Sequence, residues 1–210
     1  MSHLMSRLWL RTSLLGLTAI ALTGCVGDIL QSKVDEPQTY VLRVSDAGAA
    51  KVAYPLQLSI ALPSAAPGLD TNRIAVLRND NQLDYYFGAR WGGTAPQVAQ
   101  SFLISLLQNQ QGFKSVVAES VRIDADYLLE VQLKDFQAEY TGNKTNPTAH
   151  VTLTGTLINI KTRKQVTSAN ASASVAAKDN RLSEVVTAFQ SAMQQASLGL
   201  SEQVSAAVGK

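Results

Sequence analysis

The chain has little of what builds disulfides and metal sites. Its 210 residues include one cysteine, Cys25, and two histidines, of which only His150 follows that cysteine. A disulfide needs a second thiol, and a structural zinc site needs about four ligands. The sequence therefore predicts no disulfide within the chain and no metal site.

Charged and aromatic side chains are also sparse. Charged residues make up 16% of the chain and aromatic residues 6%. Arg7 and Arg11 are the only charged residues before Cys25, so they account for the whole formal net charge of +2. The rest of the chain is neutral and contains no long basic run, so it offers no electrostatic attraction for nucleic acid, and we predict no nucleic-acid partner.

The residues around Cys25 indicate an export signal. Two arginines precede an apolar stretch at residues 14–22, and the small residues Thr23 and Gly24 follow it. The stretch has about half of the roughly 20 residues that a membrane-spanning helix needs, so we expect it to be cleaved. A cysteine directly after such a site resembles the lipobox of bacterial lipoproteins. There the thiol becomes a thioether to diacylglycerol and the new amino terminus is acylated.

This arrangement divides the chain into three parts. We predict a lipoprotein signal peptide at residues 1–24, a lipidated tether at 25–38 and one functional domain at 39–210. Three acyl chains hold a protein on a bilayer permanently, whereas one chain binds reversibly. Val26 follows Cys25 where inner-membrane lipoproteins tend to carry aspartate, so we expect the periplasmic face of the outer membrane. An ordinary signal peptide with an incidental thiol is the alternative.

Hydrophobic patterning after residue 38 predicts a single α/β domain of the α+β kind. Strands are predicted at residues 39–44, 55–60, 74–77, 83–87, 116–117, 127–133, 149–160 and 165–175. A first helix begins after the N-cap Thr94, with Gln97 completing a capping box, and ends at Gly112. A second helix covers residues 181–207. We therefore expect a mixed, largely antiparallel sheet packed by an internal helix and a long C-terminal helix.

No motif supplies a catalytic set. His150 is the one histidine left for a Ser-His-Asp arrangement, and no G-x-S-x-G sequence accompanies it. Asp124 and Asp126 lack the glycine and glutamate of a calcium loop, and Gly92 and Gly93 lack the lysine of a phosphate-binding loop. We predict a protein that is not an enzyme and holds no cofactor. An envelope hydrolase with His150 as its base is an alternative.

Two features leave a structural and a functional interpretation open. Trp91 follows Arg90 in a glycine-rich connection, and large aromatics and arginines are enriched at protein interfaces. We predict Arg90 and Trp91 as candidate partner contacts, with packing of Trp91 under the first helix as the alternative. The final helix carries an apolar stripe that lines the core or, alternatively, shields an acyl chain. The stripe consists of Leu182, Val185, Phe189, Met193, Ala196, Leu200 and Val204.

The order and spacing of several segments resemble the ABC-type transport auxiliary lipoprotein family. These segments are Cys25, Tyr40-Val41-Leu42, residues 69–74, residues 83–91, the strand from Asp126 to Phe136, and the final helix. The family commonly follows its tryptophan with a small residue, an acidic residue and a proline. Here Gly92-Gly93-Thr94 follows Trp91, so the acidic contact is missing.

The resemblance implies a domain similar to the N-terminal domain of TolB. It also implies a role beside an ABC-type or Pqi-type transporter whose periplasmic component carries MCE domains. Such systems move phospholipid or other hydrophobic compounds between the two membranes and so support membrane integrity. The implied role is a non-enzymatic docking piece whose partners are an MCE-domain protein and the membrane, assembled as a homo-oligomeric ring. A lipid-binding carrier that itself shields an acyl chain is the alternative.

Overall fold

A computed structural model describes residues 36–78, 82–142 and 145–208, so the predicted signal peptide, Cys25 and most of the tether lie outside the described residues. The described residues form nine strands and two helices. The strands are β1 (Gln38–Tyr40), β2 (Tyr54–Ile60), β3 (Ser64–Ala65), β4 (Arg73–Arg78), β5 (Gln82–Trp91), β6 (Phe113–Ala118), β7 (Tyr127–Glu139), β8 (Thr148–Asn159) and β9 (Lys164–Ala176). The helices are α1 (Ala95–Gln110) and α2 (Leu182–Val208). The predicted fold class, with its internal helix and long C-terminal helix, is confirmed.

The sheet is organised around β7. One edge of β7 pairs in parallel with β2, then β3, then β4 along its length. Its other edge pairs with β8 in a long antiparallel ladder, and β8 pairs in the same way with β9. Beyond β2 the sheet continues to β6, and beyond β4 it continues to β5 and β1. The long ladders are thus antiparallel and the parallel ones are short, as a mixed, largely antiparallel sheet requires.

Both helices lie on one side of the sheet. Helix α2 packs over β8 and β9, α1 packs over β6, and the two helices contact each other. Alternate residues of β8, from Ala149 to Leu157, are buried beneath them, which explains the period-two pattern of that strand. From Val185 to Val204, every residue of the α2 stripe is at most 1% exposed. The core-lining interpretation of the stripe is therefore confirmed. The sheet fills the space beneath α2 that the alternative interpretation gave to an acyl chain.

Strand β1 is shorter than predicted. The pattern predicts a strand over residues 39–44, but pairing stops at Tyr40. After that point the chain leaves the sheet and runs beside α2. The backbone N–H of Arg43 donates to Gln190 Oε1 at 3.2 Å, and that of Ser45 donates to Gln194 Oε1 at 3.3 Å. Side-chain amides of α2 thus take the place of a neighbouring strand.

The boundaries of β5 and α1 also differ from the prediction. Strand β5 continues past Phe87 to Trp91, so Arg90 and Trp91 belong to a strand and not to a connection. Helix α1 begins as predicted, because the Thr94 N–H donates to Gln97 Oε1 at 2.9 Å. It ends at Gln110, since Gln111 takes a left-handed φ of 55° one residue before the expected glycine. Neither described helix combines the length and the apolar character that crossing a membrane requires.

Candidate functional site

Trp91 lies inside the domain. Its side chain is 1% exposed, and its ring centroid is 5.3 Å from that of Phe136 on β7 and 5.3 Å from that of Phe189 on α2. Among the described residues, its indole N–H has no hydrogen-bond partner. Of the two predicted roles, the structure places the ring in the core. Its aromatic neighbours come from β7 and α2 and not from the first helix.

Arg90 points away from that core, because successive residues of a strand face opposite sides of the sheet. Its side chain is exposed, and its Nε donates to Thr39 Oγ1 on β1 at 3.1 Å. Within the described residues, no carboxylate oxygen lies within salt-bridge distance of its guanidinium group. Arg90 is thus the predicted contact residue whose side chain remains available at the surface.

A second arginine stands directly across from Arg90. Arg73 on β4 is its cross-strand partner, and this pairing places the two side chains on the same face of the sheet. The guanidinium carbon of Arg73 lies 3.7 Å from the centroid of the Tyr85 ring, a cation–π contact. Arg73 also lacks an ion pair in the described part of the chain. Two neighbouring like charges destabilise a sheet unless an anion compensates them, so this pair suits a phosphate or carboxylate ligand.

Phe87 is the most exposed of the large apolar side chains in the described residues, at 98%. A bulge in β5 accounts for this exposure. The β4–β5 register passes from Ala75 opposite Tyr85 to Arg73 opposite Arg90, so the single intervening residue of β4 faces residues 86–89 of β5. Such bulges redirect side chains at sheet edges. Here the bulge carries Phe87 into solvent.

Gly88 makes the bulge possible. Its φ is +65°, a left-handed conformation that residues with a Cβ adopt only with strain. A Cβ at this position would meet no atom within 4 Å, so the backbone conformation and not lack of space requires glycine. The sequence predicts a regular strand over residues 83–87 and does not identify Phe87 as exposed. The available signal is Gly88, because a glycine within a strand often marks a bulge.

The bulge lies where the chain joins the sheet from its N-terminal segment. Strand β1 pairs in parallel with β5, with Gln38 beside Ala89 and Thr39 beside Arg90. The residues that follow the predicted tether are therefore neighbours of the bulge. We call Arg73, Phe87 and Arg90 the bulge patch.

A cleft of about 520 Å³ lies between α2 and the segment that precedes β2. Val52, Leu198 and Ala206 supply apolar lining, and Lys51 and Glu202 supply charge. Lys51 Nζ lies 2.8 Å from Glu202 Oε1. The hydrogen bond and charge of Lys51 lower the pKa of Glu202, and those of Glu202 raise the pKa of Lys51. The cleft has the volume of a small-molecule site but carries an ion pair among its lining residues.

His150 has one of the two contacts that a serine hydrolase needs. Its Nδ1 lies 2.9 Å from Ser174 Oγ, while its Nε2 lies 3.6 Å from Glu139 Oε2. The second distance is too long for a hydrogen bond, so no acidic side chain among the described residues fixes the imidazole as in a triad. Glu139, His150 and Ser174 lie on the neighbouring strands β7, β8 and β9, on the face of the sheet opposite the buried one. The geometry gives the hydrolase alternative no oriented base.

The remaining candidate motifs have structural roles. Asp126 Oδ2 accepts the backbone N–H of Gln57 at 2.8 Å, which ties the residue before β7 to β2. Gly92 and Gly93 lead into the capped start of α1. No group of three or more potential metal ligands occurs in residues 36–78, 82–142 and 145–208.

Comparison with known proteins identifies a family. A family model described as an ABC-type transport auxiliary lipoprotein component matches residues 40–200. This match confirms the resemblance seen in the sequence. No curated protein matches the chain in sequence.

Several solved structures share the fold. A crystal structure of a Xanthomonas campestris protein aligns with a TM-score of 0.75 at 22% identity, covering 82% of this chain and 97% of that one. An uncharacterised protein aligns with a TM-score of 0.63 at 14% identity, covering 81% and 99%. The PelC L103M dodecamer from Paraburkholderia phytofirmans aligns with a TM-score of 0.45 at 14% identity, covering 73% and 93%. At these identities the first two likenesses concern the fold alone.

Proposed function

Because the chain belongs to the ABC-type transport auxiliary lipoprotein family, we propose that it is a non-enzymatic docking component of an MCE-type trans-envelope lipid transport system. In this proposal it is held on the periplasmic face of the outer membrane and receives the periplasmic MCE-domain protein of an ABC-type or Pqi-like transporter. The family match over residues 40–200 is the observation that carries the proposal. The chain has no nucleotide-binding motif, so another subunit supplies the energy.

The anchor is acylated Cys25. Each buried acyl CH₂ contributes about 0.8 kcal/mol, so three chains keep the domain on the bilayer permanently. From Cys25 to Pro37 the chain spans at most about 40 Å when fully extended. The domain therefore works close to the membrane surface, where a docking component has to meet a partner that crosses the periplasm.

The central test is capture of the transporter. Cells that express the lipidated full chain are crosslinked, and the protein is purified in detergent. We expect an MCE-domain protein to be recovered in stoichiometric amount. The chain carrying Cys25→Ser, with an export signal that does not need the thiol, is the matched control, since it should fold in the same way but lose its membrane address. Recovery of no MCE-domain protein by the lipidated chain contradicts the docking role.

Function in cells tests the anchor separately. We expect Cys25→Ser to raise the sensitivity of the cells to detergents and bile salts to that of a deletion strain, because a freely diffusing domain no longer links the transporter to the membrane. Mass spectrometry of the purified native protein should show diacylglycerol and the amide-linked acyl chain on Cys25. Full function of the Cys25→Ser protein contradicts the anchoring role and leaves the partner interaction to be judged by crosslinking.

The proposed assembly is a ring of identical subunits that surrounds the end of the MCE partner. Sedimentation of the detergent-solubilised lipoprotein measures its mass directly. We expect a single closed oligomer whose mass does not increase with concentration, since cyclic symmetry limits growth. A monomer at every concentration, with and without the partner, contradicts the ring.

A second candidate function is that of a lipid carrier, and the cleft beside α2 favours it. Its volume lies within the range of small-molecule sites, and Val52 and Leu198 give it apolar lining. Native mass spectrometry of detergent-free Cys25→Ser protein should then show one phospholipid per chain. Leu198→Arg, which places a charge in the cleft, should remove it. A protein free of lipid rejects the carrier function.

A further inference from the structure

We propose that the bulge patch is a second membrane contact, with Phe87 inserted into the lipid interface and Arg73 and Arg90 bound to lipid phosphate groups. This inference rests on the proposed function in one respect, since it requires the acyl chains on Cys25 to hold the domain at a bilayer. The occupant is the surface of that same bilayer.

The exposure of Phe87 is built into the fold. The other large apolar side chains that are exposed in the described residues range from 37% to 57%, whereas Phe87 is at 98%. Its position depends on the bulge in β5 and on the left-handed Gly88, which is backbone geometry that a regular β4–β5 ladder would not contain. Phenylalanine is one of the residues on the apolar face of segments that lie in the membrane interface, and a backbone that presents its ring wholly to solvent suits insertion there.

The charges around Phe87 suit an anionic surface. Arg73 and Arg90 face each other across the β4–β5 ladder, and no carboxylate of the described residues pairs with either. Asp84, three positions before Phe87 in the sequence, has its Oδ2 3.3 Å from Arg78 Nε. Guanidinium groups bind phosphate oxygens through parallel hydrogen bonds. Phospholipid head groups therefore provide the counterion that the described protein lacks.

The path of the chain argues for the membrane over a protein partner. Gln38 lies beside Ala89, two residues from Phe87, and only 13 positions after Cys25. A chain of that length spans at most about 45 Å when fully extended. The patch thus lies beside the point where the chain that leads from Cys25 enters the sheet. Tethering raises its effective concentration at the bilayer, so even a weak contact is populated.

The test uses tryptophan as a depth probe in the complete lipoprotein. The lipidated protein is reconstituted into vesicles of phosphatidylethanolamine and phosphatidylglycerol, with or without bromine on the acyl chains, which quenches tryptophan at short range. Trp91 is buried and provides the background signal of the unmodified protein. The test variant is Phe87→Trp. The matched control is Val166→Trp. Val166 is exposed on β9, whose neighbouring residues in β8 pair with the start of β7. The strand β4, which carries β5 on its other edge, pairs with the opposite end of β7.

We expect brominated lipid to quench and blue-shift the Phe87→Trp emission and to leave the unmodified and Val166→Trp proteins unchanged. Adding Arg73→Gln and Arg90→Gln to the Phe87→Trp protein should weaken the affinity of the patch for the bilayer about fivefold for each charge removed. The fraction of the Trp emission that brominated lipid quenches should fall accordingly. That loss of affinity should be smaller, but still present, in vesicles of phosphatidylethanolamine alone, which keep the lipid phosphate groups but carry no net surface charge.

Flotation of the vesicles separates failure of the inference from failure of the proposed function. Protein that floats with the vesicles while Phe87→Trp stays unquenched overturns the membrane contact and leaves the anchor intact. Protein that does not float refutes the Cys25 anchor, and the membrane contact falls with it. A Phe87→Trp signal that ignores lipid but shifts on addition of the MCE-domain protein also overturns the inference, because the patch then contacts a protein.

Discussion

Replacing Trp91 by alanine separates a core tryptophan from a partner contact. The ring lies between β7 and α2, 1% exposed, within a cluster of three aromatic rings whose centroids are 5.1 to 5.3 Å apart. Removing a buried tryptophan costs about 3–5 kcal/mol of unfolding free energy, part of which is the aromatic contacts at about 0.5–1.5 kcal/mol each. A domain of this size has about 5–15 kcal/mol in total, so the variant loses a large share of its stability.

The indole N–H of Trp91 brings the expected loss of unfolding free energy toward the lower end of that range. It has no hydrogen-bond partner in the described residues, and an unpaired buried donor costs about 1–3 kcal/mol. Alanine removes that cost together with the ring, so we expect a loss of about 3 kcal/mol for Trp91→Ala. Trp91→Phe also removes the orphan donor but keeps a ring, so its loss should be at most about 1 kcal/mol.

Urea denaturation followed by far-ultraviolet circular dichroism measures these losses on the Cys25→Ser chain. Phe87→Ala is the control, because an exposed aromatic should change stability by no more than about 0.5 kcal/mol. The m-value should stay constant if the native and unfolded states keep their exposed areas. A Trp91→Ala protein as stable as the unmodified one, yet unable to capture its partner, would refute the assignment of Trp91 to the core.

Two further predictions concern packing and pH. A Cβ on Gly155 would lie 2.8 Å from Leu200 Cδ1 and 3.2 Å from Leu129 Cδ1, so Gly155→Ala should lower the free energy of unfolding in urea by about 1–2 kcal/mol. The double variant with Leu200→Ala should lose less stability than the two single variants together, because the shortest contact is then gone. Full additivity of the two losses would contradict the close approach. Burial, followed by the hydrogen bond with Tyr140, raises the pKa of Tyr86 well above its ordinary value. A raised folded-state pKa means that the contribution of Tyr86 is fully present below pH about 10, where the unfolded phenol ionises, and is lost as the pH rises beyond it. Tyr86→Phe should therefore lose less stability than the unmodified protein between neutral and strongly alkaline pH, and equal losses would contradict the burial effect.

Much of the fold follows from local patterns. The Val- and Thr-rich alternation at residues 149–175 specifies two strands and their hairpin, because one buried face and one wet face impose a period of two. The three- and four-residue spacing from Leu182 onward specifies α2 and its buried side in the same way. The polar capping residues before α1 fix where that helix begins.

The family could also be predicted from the sequence, because it is recognised by the order and spacing of segments along the chain and not by which strands pair. The candidate site could be predicted only in part. The sequence predicts Arg90 as a candidate contact, and Arg90 is exposed, but it gives Trp91 the same candidate role although successive strand residues face opposite sides. The sequence pattern ends the strand at Phe87, whereas β5 continues to Trp91 and therefore includes both residues.

Apart from β3, the sequence alone determined the kind and order of the elements and their core faces, and it predicts acylation at Cys25, because each depends on residues close together in the chain. Tertiary structure decided that Trp91 points inward, that Phe87 stands on a bulge, and that Arg73 faces Arg90. These features depend on the register between β5 and its neighbours β4 and β1, and register is set by contacts between residues far apart in sequence. A pattern of apolar residues records which face of a strand is buried and carries no record of which strand lies beside it.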